Sequence, residues 1–144
     1  VAGVAGSPFL IRQIREEGPF WRGALRAILD IRDRSRALGA RTVLVYLPGR
    51  GDMYYERATG RPLPAESFER TEASALERFC AANGIAFINP SARIRRHVAG
   101  ISAGAPQADY PYLRVDGHMS PMGHALGAEE VRAALAAADL PPDR

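Results

Sequence analysis

The stretch Thr42-Val43-Leu44-Val45-Tyr46-Leu47 constrains this chain most, because a near-continuous run of apolar and β-branched residues is what a parallel strand covered on both faces requires. Pro48-Gly49 ends it, so the carboxyl end of a strand, where open α/β sheets bind ligands, comes just before residues 52–64. On the N-terminal side, Trp21, Ala24, Leu25, Ile28, Ile31 and Leu38 recur on one stripe, with Arg26, Asp30, Asp33 and Arg34 largely opposite. That spacing predicts a helix over residues 19–38, with Gly39 as its C-cap. On the C-terminal side the alternation repeats. Residues 65–83 form a second helical pattern with Phe68, Ala75, Leu76, Phe79 and Cys80 on the buried stripe, and Asn83-Gly84 caps it. Ile85-Ala86-Phe87-Ile88 follows as a short buried strand ended by Asn89-Pro90.

Strand and helix alternating at short spacing imply right-handed βαβ crossovers, a parallel sheet and an α/β fold. Two convincing strands are too few for a stable doubly wound sheet, so the expectation is an incomplete one whose missing strands belong to a preceding segment. An incomplete sheet exposes an apolar edge, which predicts self-association or pairing with another chain.

The remaining segments are read around that frame. Residues 9–17 predict a short helix, 52–64 a long polar loop, 91–98 a further helical turn or two, and 99–112 a surface loop. Tyr54 and Tyr55 on the polar loop fit a substrate groove and a packing lid equally well. Arg93, Arg95, Arg96 and His97 are expected mainly on a solvated surface. A last helix over residues 121–138 carries Gly127, Ala128, Val131, Ala134, Leu135 and Ala138, which allow close packing on a sheet, and Pro141-Pro142 ends it. The expected organisation is a linker or N-terminal extension over 1–18, one domain over 19–140 and a tail over 141–144. Val1 in place of an initiator Met suggests a processed or excised N-terminus.

Composition excludes several classes of function. The 144 residues are 47% hydrophobic and 24% charged, which suits one domain with a core. All 19 basic residues are Arg, and 16 acidic residues are interspersed among them for a net charge of +3, so no basic stripe for nucleic acid is expected. Cys80 is the single cysteine. It excludes an internal disulfide, offers no zinc cluster, and reads as a small core residue. No run is long enough to span a membrane.

The candidate chemistry lies in Leu113-Arg114-Val115-Asp116-Gly117-His118-Met119-Ser120-Pro121-Met122-Gly123-His124. Tyr112 to Val115 is a short apolar approach and Asp116-Gly117 a turn; Ser120 is an N-cap with Pro121 at the first helical position. His118 therefore sits on the loop before a helix. If Asp116 accepts from one ring nitrogen, it fixes the tautomer and stabilises the imidazolium while the other nitrogen takes a proton from a hydroxyl nucleophile. The nucleophile itself is missing from the stretch. Ser7, at the end of a possible strand over residues 1–6, is one candidate; a flexible linker is the preferred reading because no acidic residue adjoins that serine. A metal site of Asp116, His118 and His124 lacks helical His-x-x-x-His spacing, and a purely structural turn is the other rival. No cofactor and no resident metal is implied.

Asp116-Gly117-His118, then Ser120-Pro121 and Gly123-His124 before a small-residue helix, resembles the C-terminal block of the SGNH (GDSL-type) hydrolases and acetyltransferases. The resemblance is best over residues 40–140. It implies a three-layer flavodoxin-like parallel sheet flanked by helices, with His118 as general base and Asp116 as its orienting carboxylate. The partner it implies is a small ester or an acetylated carbohydrate, acted on by serine esterase or O-acetyltransferase chemistry. The family's Gly-Asp-Ser block, oxyanion Gly block and Gly-x-Asn block would precede the first clear helix, and none stands there in recognisable form. The chain is then either the C-terminal piece of a longer enzyme or a catalytically inactive module that binds glycan or protein.

Overall fold

The computed structural model describes residues 8–137. Its elements run α1 (Pro8–Arg15), α2 (Pro19–Ala37), β1 (Val43–Val45), α3 (Arg50–Thr59), α4 (Phe68–Asn83), β2 (Ala86–Ile88), α5 (Ser91–Gly100), a 3-10 turn (Gln107–Asp109) and α6 (Pro121–Ala137). The strands β1 and β2 pair in parallel as a small two-stranded sheet. The fold is rich in helix, and among the described residues the expected three-layer sheet reduces to these two three-residue strands. The described residues divide into two compact units, 8–44 with 63–87, and 45–62 with 88–137; the boundary passes through both strands.

In the first unit α1, as expected for residues 9–17, is a helix, and it packs on α4 and α2. Gln13 of α1 lends its side-chain oxygen to the Phe20 N–H (3.2 Å), satisfying an orphan donor in the first turn of α2. The far end of α2 closes as expected at Gly39. The Gly39 N–H donates to Arg36 O and the Ala40 N–H to Ser35 O, a doubled closure that needs the left-handed φ of 74° found at Gly39. The apolar stripe of α2 is a different matter. Trp21 is buried, but Ile31 and Leu38, expected on the core side, are exposed, and Phe20 is exposed with them. The helix α4 begins at Ser67, whose hydroxyl accepts from the Arg70 N–H, and closes at Gly84 in the left-handed region. Cys80 is fully buried on it, and burial pushes the thiol up, as fits an inert core residue.

In the second unit two expectations are corrected. Residues 52–64 are not a polar loop. Residues 50–59 are α3, which packs on α5, buries Met53 and Asp52, and ends at Gly60. Gly51, Asp52, Tyr54 and Tyr55 are weak helix formers, so packing overrides propensity here. Met53, Ile94, Val98 and Tyr112 form the core cluster, with Tyr54, Met119 and Leu126 against it. Arg57, one turn beyond Met53, donates to the carbonyls of Val98 (3.0 Å) and Ile101 (2.6 Å), satisfying the C-terminal end of α5. The second correction concerns α6, which packs on α5 and the 3-10 turn, not on a sheet. Arg93, expected in solvent, forks across to Glu130 (2.7 Å) and Glu129 (2.9 Å) on α6, and His97 meets the Asp109 carbonyl at 2.8 Å. Only Arg96 of the four residues named on α5 is exposed.

The strand reading also needs correction. Val45 and Leu47 were expected to be covered on both faces, yet Leu47 is 58% exposed and Val45 is exposed as well.

Candidate active site

Tyr112 and Met119 form an isolated antiparallel bridge, so residues 113–118 fold back as a tight hairpin where an apolar approach and a turn were expected. The Leu113 N–H donates to His118 O (2.8 Å) and the Ser120 N–H to Pro111 O (3.0 Å), closing both sides of the ladder. Asp116 and Gly117 occupy the turn, and Gly117 takes a φ of 76° that a β-carbon would strain.

Ser120 fulfils its expected role. Its hydroxyl accepts from the Gly123 N–H (3.2 Å), three residues into α6, and itself donates to Tyr110 O. Ser120 is buried, so its oxygen is spent on structure and is no nucleophile. Gly123 explains why the helix start sits so close. A β-carbon there would stand 2.1 Å from Pro111 O, so only glycine lets α6 touch the hairpin backbone. His124, by contrast, is exposed in the first turn of α6. Among the described residues no three His, Cys, Asp or Glu side chains gather as a metal would need, so Asp116, His118 and His124 are not brought together.

Asp116 and His118 are brought together. Oδ1 of Asp116 accepts from the His118 backbone N–H (3.0 Å), and Oδ2 lies 3.2 Å from Nδ1 of the ring. One carboxylate thus holds both the main chain and the imidazole of its partner two residues on: one oxygen makes the local turn that Asp and Asn side chains favour, and the second is left for the ring. These two hydrogen bonds hold the Asp116 carboxyl below its ordinary range, the backbone bond contributing most. With Nδ1 facing a carboxylate, the ring keeps its proton there and presents the lone pair at Nε2. The arrangement can therefore accept a proton from a hydroxyl and be stabilised once charged. The pair is open to water: the side chains are 52% and 81% exposed for Asp116 and His118.

Among the described residues no serine, threonine or cysteine hydrogen-bonds to His118. Ser7 lies outside the described residues.

A cleft of about 560 Å³, lined by Arg50, Tyr54, Gln107, Tyr110, Tyr112 and Arg114 along with Gly104 and Ala105, occupies the same unit. Arg114 belongs to the hairpin turn, so the cleft and the Asp116/His118 pair share one loop. Tyr54 stacks on Tyr110 (ring centroids 6.4 Å apart, planes at 13°) and meets Tyr112 edge-on (6.0 Å, 71°). Burial pushes the Tyr54 phenol up. Of the two tyrosines offered for a groove, Tyr54 lines the cleft and Tyr55 is not among its lining residues. Sequence reasoning missed Arg50, Gln107 and Tyr110. No periodicity marks them, because Arg50 stands at a helix start and Gln107 and Tyr110 at the two ends of a 3-10 turn.

A family model described as an SGNH hydrolase-like domain, acetyltransferase AlgX, matches residues 12–144. No curated protein and no solved structure matches the chain significantly.

Proposed function

The chain belongs to the SGNH hydrolase-like acetyltransferase AlgX family, and from that premise we propose that Asp116 and His118 are the orienting carboxylate and the general base of a serine-dependent acyl transfer. The observation that carries this reading is the double hold of Asp116 on His118, at the backbone N–H and at Nδ1, which leaves Nε2 free. Nε2 takes the proton of a serine hydroxyl as its oxygen attacks the acyl carbonyl. The imidazolium, stabilised by Asp116, then returns that proton to the departing alkoxide as the carbon–oxygen bond breaks. In the second half the same nitrogen takes a proton from water or a sugar hydroxyl as that oxygen bonds to the acyl carbon, and returns it to the serine oxygen as the acyl–serine bond breaks. The acceptor alone separates an esterase from an O-acetyltransferase.

A small ester or an acetylated carbohydrate suits the neighbouring cleft, where tyrosine rings offer flat apolar faces and Arg50, Arg114 and Gln107 offer donors. The serine comes from outside the described residues. The second reading, an SGNH-derived module that binds glycan or protein without turnover, draws on the 81% exposure of His118 and on the lack of a described hydroxyl beside it. Transfer of acetyl from p-nitrophenyl acetate by the full gene product containing this chain separates the two. Turnover that His118→Ala lowers roughly a thousandfold supports the enzyme. Turnover unaffected by that change, or absent in the wild type, supports the binding module.

A further inference from the structure

Arg50 lies 63 and 64 residues before Leu113 and Arg114, yet its Nη1 donates to both of their carbonyls, at 3.3 and 2.9 Å. These are the two residues that lead into the turn carrying Asp116. The Cδ of Arg50 also stands 3.8 Å from where a β-carbon on Gly117 would be, so the side chain lies along the turn on both sides of Asp116. A second tie starts two residues earlier: the buried Tyr112 hydroxyl donates to Pro48 O at 2.7 Å. Together they sew the segment after β1 to the base of the hairpin. Nothing buries the tip. Val115 is 98% exposed and both side chains of the pair face water, so apolar packing does not hold the turn.

We propose that Arg50 is a positioning residue of the Asp116/His118 turn, whose hydrogen bonds to the Leu113 and Arg114 carbonyls hold the turn in the form in which Asp116 meets Nδ1 of His118. The catalytic consequence rests on the acyl-transfer reading; the positioning itself does not. A guanidinium suits the task because its Nη1 carries two hydrogens in a fixed plane, one for each carbonyl, whereas an ammonium is a point charge on a flexible stem. Arg50 also lines the cleft, so the side chain that would meet a ligand there also holds the catalytic turn.

The test uses the ¹⁵N-labelled full gene product with Arg50→Ala and Arg50→Lys, and reads the His118 imidazole nitrogens and amide exchange by NMR. In Arg50→Ala the Gly117 and His118 amides are expected to exchange roughly tenfold faster or more, as the loss of two charge-assisted hydrogen bonds implies. The Nδ1 signal is expected to lose its carboxylate-bonded character while Ile94 and Val98 amides of α5 stay within about twofold. Arg50→Lys is expected to fall between Ala and wild type. An unchanged Nδ1 signal and unchanged exchange in Arg50→Ala overturn the proposal, as does loosening that spreads equally to Ile94 and Val98. If the turn loosens while turnover stays at the wild-type level, the positioning stands and the acyl-transfer reading fails.

Discussion

At Asp116 a single carboxylate decides the geometry of the whole site. Because its hydrogen bonds from His118 persist only in the folded chain, the carboxyl titrates lower when folded than when unfolded. Its contribution is therefore fully present above the unfolded value, and is lost only as pH falls through the depressed folded one. NMR titration of the Asp116 side-chain carbonyl is expected to place its midpoint below the usual carboxylate range of about 3.9. His118→Ala removes the ring bond and keeps the larger backbone one, so the midpoint should move only part of the way back. A full return to the ordinary value would contradict the order of causes. In turnover, His118→Ala should cost roughly a thousandfold or more and Asp116→Ala somewhat less, measured as kcat/KM on an activated ester. This pair was legible in the sequence because its logic is local: an acid, a glycine and an imidazole two residues apart, followed by Ser-Pro. Arg50 was not, since its partners lie 63 and 64 residues away and no short-range pattern encodes them.

Among the elements, α6 illustrates how a helix end can be set by one missing side chain. Ala in place of Gly inside a helix normally gains up to about 1 kcal/mol. At Gly123 the sign should reverse, because the new methyl would stand 2.1 Å from Pro111 O, which is backbone and cannot swing away. Gly123→Ala is expected to destabilise by roughly 1–3 kcal/mol in urea unfolding. Gly127, also buried on α6, has open space where its β-carbon would go, and Gly127→Ala is the neutral or stabilising control. Equal effects at both positions would contradict the close approach. The caps at Gly39, Gly84 and Ser120 could be read from sequence because each satisfies backbone donors or carbonyls within a few residues. The helix α3 could not: Gly51, Asp52, Tyr54 and Tyr55 are weak helix formers, and packing of Met53 and Tyr54 with Ile94, Val98 and Tyr112 makes it a helix.

At the scale of the whole molecule, the paucity of strand is the feature both sequence and structure share. Two strands of three residues, with Val45 exposed in β1 and Leu47 exposed just beyond it, leave unpaired edges and apolar surface among the described residues. We expect the isolated 144-residue chain to self-associate through that edge, with sedimentation coefficients that rise with concentration, and Leu47→Lys to reduce the rise. A chain that sediments as a monomer at all concentrations would contradict this. Alternation of strand and helix was legible as an α/β pattern. The depth of burial was not, because an apolar run reads the same whether or not another layer covers it. The proposed service of Asp116 and His118 to a serine in acyl transfer is tested by fluorophosphonate labelling of the full gene product and of its His118→Ala variant, with the modified residue located by tandem mass spectrometry. One labelled serine is expected, with labelling that slows by orders of magnitude in the variant. No labelled serine in the wild type, or equal labelling rates in the two proteins, would contradict it.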